Sequence, residues 1–164
     1  MYLIRKATAA DVDTIQHIAD KTWWVTYAPI LAKEQIAFML DELYSTEKIL
    51  FQINHNTQTY LILVEDDIPV AFASYSPREE EPEIYKLHKL YCLPSTQGKG
   101  FGKILINEVI SKTKEAGKHT LELNVNRYNK AQAFYEKMGF RVVFAEDIPI
   151  GDYSMNDFVM RKDL

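Results

Sequence analysis

Three glycines within six residues mark the junction between a strand-like segment and a helix-like segment, in the run Gln97, Gly98, Lys99, Gly100, Phe101 and Gly102. Glycine lets backbone amides turn toward a ligand without a side-chain clash. The helix that follows adds unpaired N–H groups and a partial positive charge at its start. The run therefore predicts a cradle for a pyrophosphate, with a ligand-free glycine turn as the alternative.

Two better-known glycine loops do not fit the spacing of this run. A dinucleotide-binding fingerprint needs its third glycine at position 103, where the chain has Lys103. A Walker loop needs Ser or Thr after its Gly-Lys pair, where Gly100 and Ile104 stand. The phosphate-binding interpretation therefore requires a different class of loop.

The hydrophobic periodicity on both sides of the run predicts the order of elements. Strands are expected over 2–6, 59–64, 68–75, 84–92, 120–125, 140–145 and 153–160, and helices around 12–19, 36–43, 102–116 and 129–139, with Ser45 as the cap of a further short turn. This order, a strand, two helices, three strands and then αβαββ, predicts an α/β sandwich. Its sheet is mostly antiparallel, with one parallel pair connected through the glycine-led helix.

A second motif runs from Asn129 to Phe140. Asn129 is a natural N-cap, Gln132 can complete a capping box, and Gly139 suits a left-handed helix end. These features explain the segment as a helix without assigning a role to Tyr135. A tyrosine one step from the apolar face is most often a packed residue with a solvated hydroxyl, which is the alternative to a catalytic role.

Together the two motifs resemble the GNAT superfamily of acyl-CoA-dependent N-acyltransferases. Gln97, Gly100 and Gly102 fit its Q/R-x-x-G-x-G/A loop, and 90–94 and 129–140 fit the preceding strand and the second motif. The resemblance covers residues 59–145. It implies a single domain over 1–164, with a six- to seven-stranded, mostly antiparallel sheet and about four helices. It also implies transfer of an acetyl group from acetyl-CoA to a primary amine.

The resemblance also implies roles for individual residues. Tyr135 would be the acid that protonates the departing sulfur, and the cofactor would be held by the following residues: Leu90, Tyr91, Cys92, Gln97, Gly98, Lys99, Gly100, Phe101, Gly102, Lys103 and Asn129. The strand glutamate that some family members use as the base falls on Lys86 here. The resemblance therefore does not identify the general base. The alternatives are His88, Glu83 and a water chain, and His88 is favoured.

Composition limits the remaining functions. A net charge of −4 argues against nucleic-acid binding, and the histidines show no metal spacing. The single cysteine, Cys92, fits a reducing cytoplasm, and the sequence predicts neither a secretion signal nor a membrane span. Covalent catalysis through Cys92 is disfavoured, because single strand cysteines are mostly inert.

The expected acceptor is a polyamine, another small amine or a peptide, taken by a monomer or homodimer. The acidic run 79–83 is a candidate surface for a cationic acceptor or simply a solvated loop. The segment 151–157 is similar to polyamine acetyltransferases of the superfamily. Two rivals stay open: a non-catalytic acyl-CoA-binding module, and a partner-binding domain without a cofactor.

Overall fold

The structure, a computed structural model, describes residues 1–164. Seven strands form one sheet: β1 Tyr2–Lys6, β2 Thr59–Glu65, β3 Ile68–Pro77, β4 Ile84–Cys92, β5 Thr120–Asn126, β6 Arg141–Ile150 and β7 Tyr153–Asp163. Five α-helices surround it: α1 Val12–Tyr27, α2 Lys33–Leu43, α3 Thr46–Asn54, α4 Phe101–Glu115 and α5 Ala131–Lys137. None of these helices has the length and apolar character needed to cross a bilayer.

The sheet order β1-β2-β3-β4-β5-β7-β6 confirms the predicted α/β architecture. Every neighbouring pair is antiparallel except β4 and β5, which are parallel and are connected through α4. The helix that the sequence did not predict in full is α3. It begins after Ser45, whose side chain accepts a hydrogen bond from the Lys48 N–H, where the sequence predicted only a further short turn. The predicted fold class is therefore confirmed, with five helices where about four were expected.

Each face of the sheet has its own apolar core, and the alternation along the strands assigns residues to them. Leu61 and Leu63 of β2 pack against the α4 side, whereas Tyr60 and Ile62 pack against α1, α2 and α3. Strands with both faces buried are expected to be apolar on both sides, as β2 is. The two helical layers therefore share one sheet.

The central parallel pair separates halfway along its length, and this separation positions the functional site. Pairing between β4 and β5 runs only from Ile84 with Thr120 to Leu87 with Leu123. The next residue of β4, His88, is the extra residue of a bulge against β3, because Ser74 pairs with Lys89 and Tyr75 with Leu87. Bulges bend a strand and increase its local twist. Beyond the bulge the strands diverge and leave a cleft.

The start of α5 differs from the prediction. The Asn129 side chain accepts from the Ala131 N–H at 2.9 Å, but Lys130 is the N-cap and the predicted capping box with Gln132 does not form. The short side chain of Asn129 closes a local turn one residue before the helix instead. The predicted left-handed end at Gly139 is confirmed by its φ of 95°.

Candidate functional site

The cleft between the diverging ends of β4 and β5 has a volume of about 330 Å³. Its walls come from four parts of the chain: the last turn of α1, the two diverging strand ends, the loop after β4 and the first turns of α5. The lining includes Thr22, Tyr27, His88, Leu90, Tyr91, Cys92, Gln97, Asn124, Asn129 and Tyr135. Five of the residues that the sequence assigned to cofactor binding are therefore brought together with both predicted catalytic side chains.

The exposed edge of β4 can bind an extended ligand. Residues 89–92 pair with β3 on one side, and residues 88–92 have no strand partner on the β5 side. Backbone N–H and C=O groups on that side are therefore available to a chain laid in the cleft, and a pantetheine arm carries amides that match them. Leu90, Tyr91 and Cys92, which the resemblance assigns to cofactor binding, line this edge.

The glycine-rich loop lies where this edge ends. Gly98 and Gly100 have φ values of 88° and 76°, in the left-handed region that other residues avoid. The first helical bond of α4 runs from the Ile104 N–H to the Gly100 carbonyl. The N–H groups of residues 101–103 therefore precede the hydrogen-bonded turns and are free to bind a phosphate oxygen.

Several side chains of this loop are buried or paired within the protein, which limits the groups that can contact a ligand. Phe101 is buried in the core and its ring lies 5.9 Å from that of Tyr2, so its backbone alone can contact a ligand. Lys99 pairs with Glu65 at 3.0 Å on the surface. The Cβ of an alanine at Gly102 would lie 3.6 Å from the Phe134 ring, an ordinary contact distance. The loop therefore fits a pyrophosphate mainly through its backbone.

Replacing Gly100 with alanine should weaken the loop by conformation alone. A Cβ at this position meets no atom within 4 Å, so the effect comes from the positive φ. The left-handed region costs a residue with a Cβ about 1–2 kcal/mol. We expect Gly100→Ala to raise the Kd for coenzyme A roughly tenfold, as measured by calorimetry. Gly102→Ala is the matched control, and an equal loss in both variants would contradict the argument.

Tyr135 is buried beside the cleft. Its ring packs edge-on against Phe134 and Phe140, with centroids 5.3 and 6.0 Å away. Burial raises the pKa of Tyr135 above its ordinary value, and the nearby Tyr27 and Cys92 raise that pKa further. The hydroxyl therefore stays protonated and is available as a hydrogen-bond donor to a ligand in the cleft.

The thiol of Cys92 shows how burial in the same cleft affects the pKa of a sulfur group. Burial raises the pKa of its thiol to about 11. A thiol held protonated in this way is a poor nucleophile, in agreement with the expectation that no acyl-cysteine forms. A thiolate that leaves in this environment is also a stronger base than in water, so it accepts a hydrogen bond more strongly.

The two side chains predicted as candidates for the general base, His88 and Glu83, lie in different environments. Burial lowers the pKa of His88 to about 3, and the charges of Lys89 and Lys86 act in the same direction. Its Nε2 lies 2.7 Å from the Ser76 hydroxyl. A neutral imidazole of this kind holds a proton weakly, which weighs against the predicted role as a base. Glu83 is exposed, pairs with Lys118 and does not line the cleft.

Tyr27 connects the two sides of the site. It is buried, its ring lies 4.4 Å from that of Trp23, and it interacts with Tyr91 and Asn129. Burial raises the pKa of Tyr27 to about 12, and the negative charge of Asp157 also raises that pKa. Tyr27 is therefore within interaction range of both Tyr135 and Asp157.

A strip of polar side chains crosses the sheet on the α1 side, and we call it the polar strip. Register places its members on one face of four strands: Lys86, Glu122, Asn124, Asp157 and Glu146. Sequence reasoning did not assign Asn124 or Asp157 to the site. The alternating pattern of β7 could have indicated Asp157 as a site residue. Met155, Asp157 and Val159 occupy successive inward positions and are all buried, and one of them carries a carboxylate.

The acidic run 79–83 is partly neutralised. Glu81 pairs with Arg78 at 3.2 Å and Glu83 pairs with Lys118 at 3.0 Å. Glu79 and Glu80 line a second, more open depression, which reaches the cleft at His88. The predicted surface for a cationic acceptor is therefore reduced to these two carboxylates.

Comparisons with known proteins agree with this geometry. The acetyltransferase (GNAT) family model matches residues 21–140. A spermidine N(1)-acetyltransferase of Thermoplasma acidophilum is 30% identical over 164 residues, which cover 97% of this chain and 95% of that protein. An uncharacterized N-acetyltransferase of Mycobacterium bovis is 28% identical over 155 residues, with coverages of 94% and 98%.

A solved structure extends the comparison to three dimensions. The PaiA N-acetyltransferase of Thermoplasma acidophilum, crystallised with coenzyme A, superposes with a TM-score of 0.85 at 30% identity. The superposition covers 100% of this chain and 99% of that one. The similarity therefore extends over the sheet, both helical layers and the cleft.

Proposed function

The chain belongs to the acetyltransferase (GNAT) family, and from this premise we propose that it acetylates a primary amine of a polyamine or a similar small alkylamine. It is an acetyl-CoA-dependent N-acetyltransferase, as its relatives and the family model show. The identity of the acceptor is the proposed part. The observation that carries it is the 30% identity to a spermidine N(1)-acetyltransferase over nearly the whole chain.

A carboxylate next to the cleft supports a cationic acceptor. The Asp157 carboxylate accepts a hydrogen bond at 3.3 Å from Asn124, which lines the cleft. Carboxylates attract ammonium groups and disfavour anionic acceptors. A small amine also matches a cleft of about 330 Å³ better than a folded protein partner does.

For the acyl donor, we propose that the backbone of residues 88–92 pairs with the pantetheine arm and that the glycine-rich loop binds the pyrophosphate. Bound there, acetyl-CoA supplies a thioester as the acyl donor. Backbone N–H groups at the edge of β4 would stabilise negative charge that develops on the thioester oxygen. Gln97 and Asn129, which line the cleft, would contact the arm.

We propose that Tyr135 donates its proton, or a strong hydrogen bond, to the departing sulfur. Its buried hydroxyl is protonated at all working pH values, and its ring is fixed by two aromatic neighbours. A donor held in place before reaction stabilises the transition state without reorganisation. For His88 we propose a neutral relay through Ser76 toward the open depression beside it.

We further propose that residues 1–164 act as one domain, since both apolar cores are built on the same sheet. A cytoplasmic location accords with the single free thiol of Cys92. Size-exclusion chromatography with light scattering would distinguish a monomer from a homodimer.

An acceptor screen tests the proposed function. Release of the coenzyme A thiol would be followed with spermidine, spermine, putrescine, an aminoglycoside and an alanine-terminated peptide. We expect turnover with the polyamines and a lower kcat/KM with the peptide. Turnover of the peptide alone would overturn the proposed acceptor class. Binding of acetyl-CoA without transfer to any amine would favour the non-catalytic module.

A further inference from the structure

Two buried oxygen atoms of the polar strip have no hydrogen-bond donor in the protein. They are Oδ1 of Asn124 and Oδ1 of Asp157. The side chains lie together, because Asn124 Nδ2 donates to Asp157 Oδ2 at 3.3 Å. A buried acceptor without a donor is destabilising, so a neighbouring pair of such acceptors points to a ligand that donates hydrogen bonds.

Asp157 is nine-tenths buried, with 7% of its surface exposed, yet no ion pair neutralises it. The groups that face it are Lys86 on β4, Glu146 on β6, Arg127 after β5 and Tyr27 on α1. The ion pair of Arg127 is with Asp147, at 2.8 Å. Burial raises the pKa of Asp157 above its ordinary value, and the hydrogen bond from Asn124 opposes that rise.

The oxygen pair lies beside the reacting end of the cleft. Asn124 is part of the cleft wall, on the strand opposite Leu90 and Cys92. Tyr27 also lines the cleft, and the negative charge of Asp157 raises the pKa of Tyr27. A nitrogen atom bound by the pair therefore faces the edge along which the pantetheine arm is proposed to lie.

Other basic groups near the cleft fit less well. Lys89 Nζ donates to Gln58 and Tyr60, toward β2 and away from β5. His88 has a pKa lowered to about 3 and is bonded to Ser76. Lys86 is itself a cation, so it cannot accept a proton while charged. Asp157 is an anionic group and is hydrogen-bonded to Asn124 of the cleft wall.

We propose that Asp157 and Asn124 form the subsite for the reacting amine, in which Asp157 accepts its proton. This inference rests on the proposed function and names the residues that receive the acceptor. The ammonium donates to the two unpaired oxygens. One proton passes to Asp157, so that a buried ion pair becomes a neutral acid and amine, a change that burial favours.

The transfer then balances in atoms and protons. The neutral nitrogen forms a bond to the acetyl carbonyl carbon, the carbon–sulfur bond breaks, and the sulfur takes a proton from Tyr135. The nitrogen loses its second proton to water. Asp157 returns its proton to solvent and Tyr135 regains one. The net result is one amide, one thiol and one released proton for each ammonium consumed.

The test compares Asp157→Asn with wild type, using spermidine as the probe. We expect kcat to fall roughly 100-fold, because removing a general base has an effect of this order. The acid limb of the kcat–pH profile should move to higher pH, because the rate then rises only as the amine itself deprotonates. Coenzyme A affinity and the Tm should not fall, since the substitution removes an uncompensated buried charge.

Glu146→Gln is the matched control, because Glu146 is an exposed acid directly opposite Asp157. We expect it to keep kcat within about threefold and to keep the acid limb. An unchanged kcat and pH profile in Asp157→Asn would overturn the proposal. A large fall in its Tm together with lost coenzyme A binding would also overturn it, since the carboxylate would then be structural.

A second measurement separates this proposal from the proposed function. In the presence of coenzyme A, spermidine should raise the Tm of wild type but not that of Asp157→Asn. Loss of this shift in a protein that acetylates no amine would overturn the proposed function and keep the subsite. An active wild type whose spermidine shift survives the substitution would overturn the subsite alone.

Discussion

Replacing Tyr135 with phenylalanine is expected to lower kcat about 100-fold while leaving the Kd for acetyl-CoA within about twofold of wild type. The substitution removes one oxygen atom and keeps the packing of the ring against Phe134 and Phe140. The lost interaction is one that strengthens as charge develops on the departing sulfur, so turnover falls and ground-state binding does not. Steady-state kinetics with calorimetry measures both quantities.

Tyr75→Phe is a matched control for this substitution. Tyr75 and Tyr135 belong to the same apolar core and have the same exposed fraction, 9%. Tyr75 does not line the cleft and packs against Tyr85 instead. Its variant should keep kcat. If both variants lose activity equally, the effect belongs to core packing, and if neither does, Tyr135 is not the acid.

The sheet could be predicted from the sequence because its strands are marked locally. The bounds of β1 and β4 are as predicted, and the single parallel pair follows from the order of elements. The residues that open the cleft were harder to foresee. The bulge at His88 depends on how β4 pairs with β3, and pairing between strands leaves little trace in the local pattern.

The site was predictable where the backbone provides the function. A glycine-rich loop and a helix start carry their geometry in the sequence, and Gly98 and Gly100 take the expected left-handed conformation. The environment of His88 was not predictable, because its burial and its contact with Ser76 arise from the tertiary fold. Asp157 and Asn124 belong to different strands, so only the assembled sheet brings them together.

Replacing Glu122 with alanine is expected to be the most destabilising single change discussed for this protein. Glu122 is only 3% exposed and accepts a hydrogen bond from Arg161 Nε at 2.9 Å, and Arg161 Nη2 lies 2.9 Å from the same oxygen. Arg78 Nε lies 3.4 Å from its other oxygen. Removing one member of such a buried cluster leaves uncompensated charge, with a loss of about 3–5 kcal/mol in the free energy of unfolding.

The position of Glu122 links this loss to the cleft. It pairs with Lys86 within the short parallel stretch, just before β4 and β5 diverge. At about 3 kcal/mol the Tm should fall by roughly 6–12 °C in a calorimetric scan. The control is Glu83→Ala, whose side chain is 84% exposed and pairs with Lys118 on the surface, so its Tm should change by no more than about 2 °C. Equal shifts in the two variants would show that the cluster at the root of the cleft does not hold the parallel strands together.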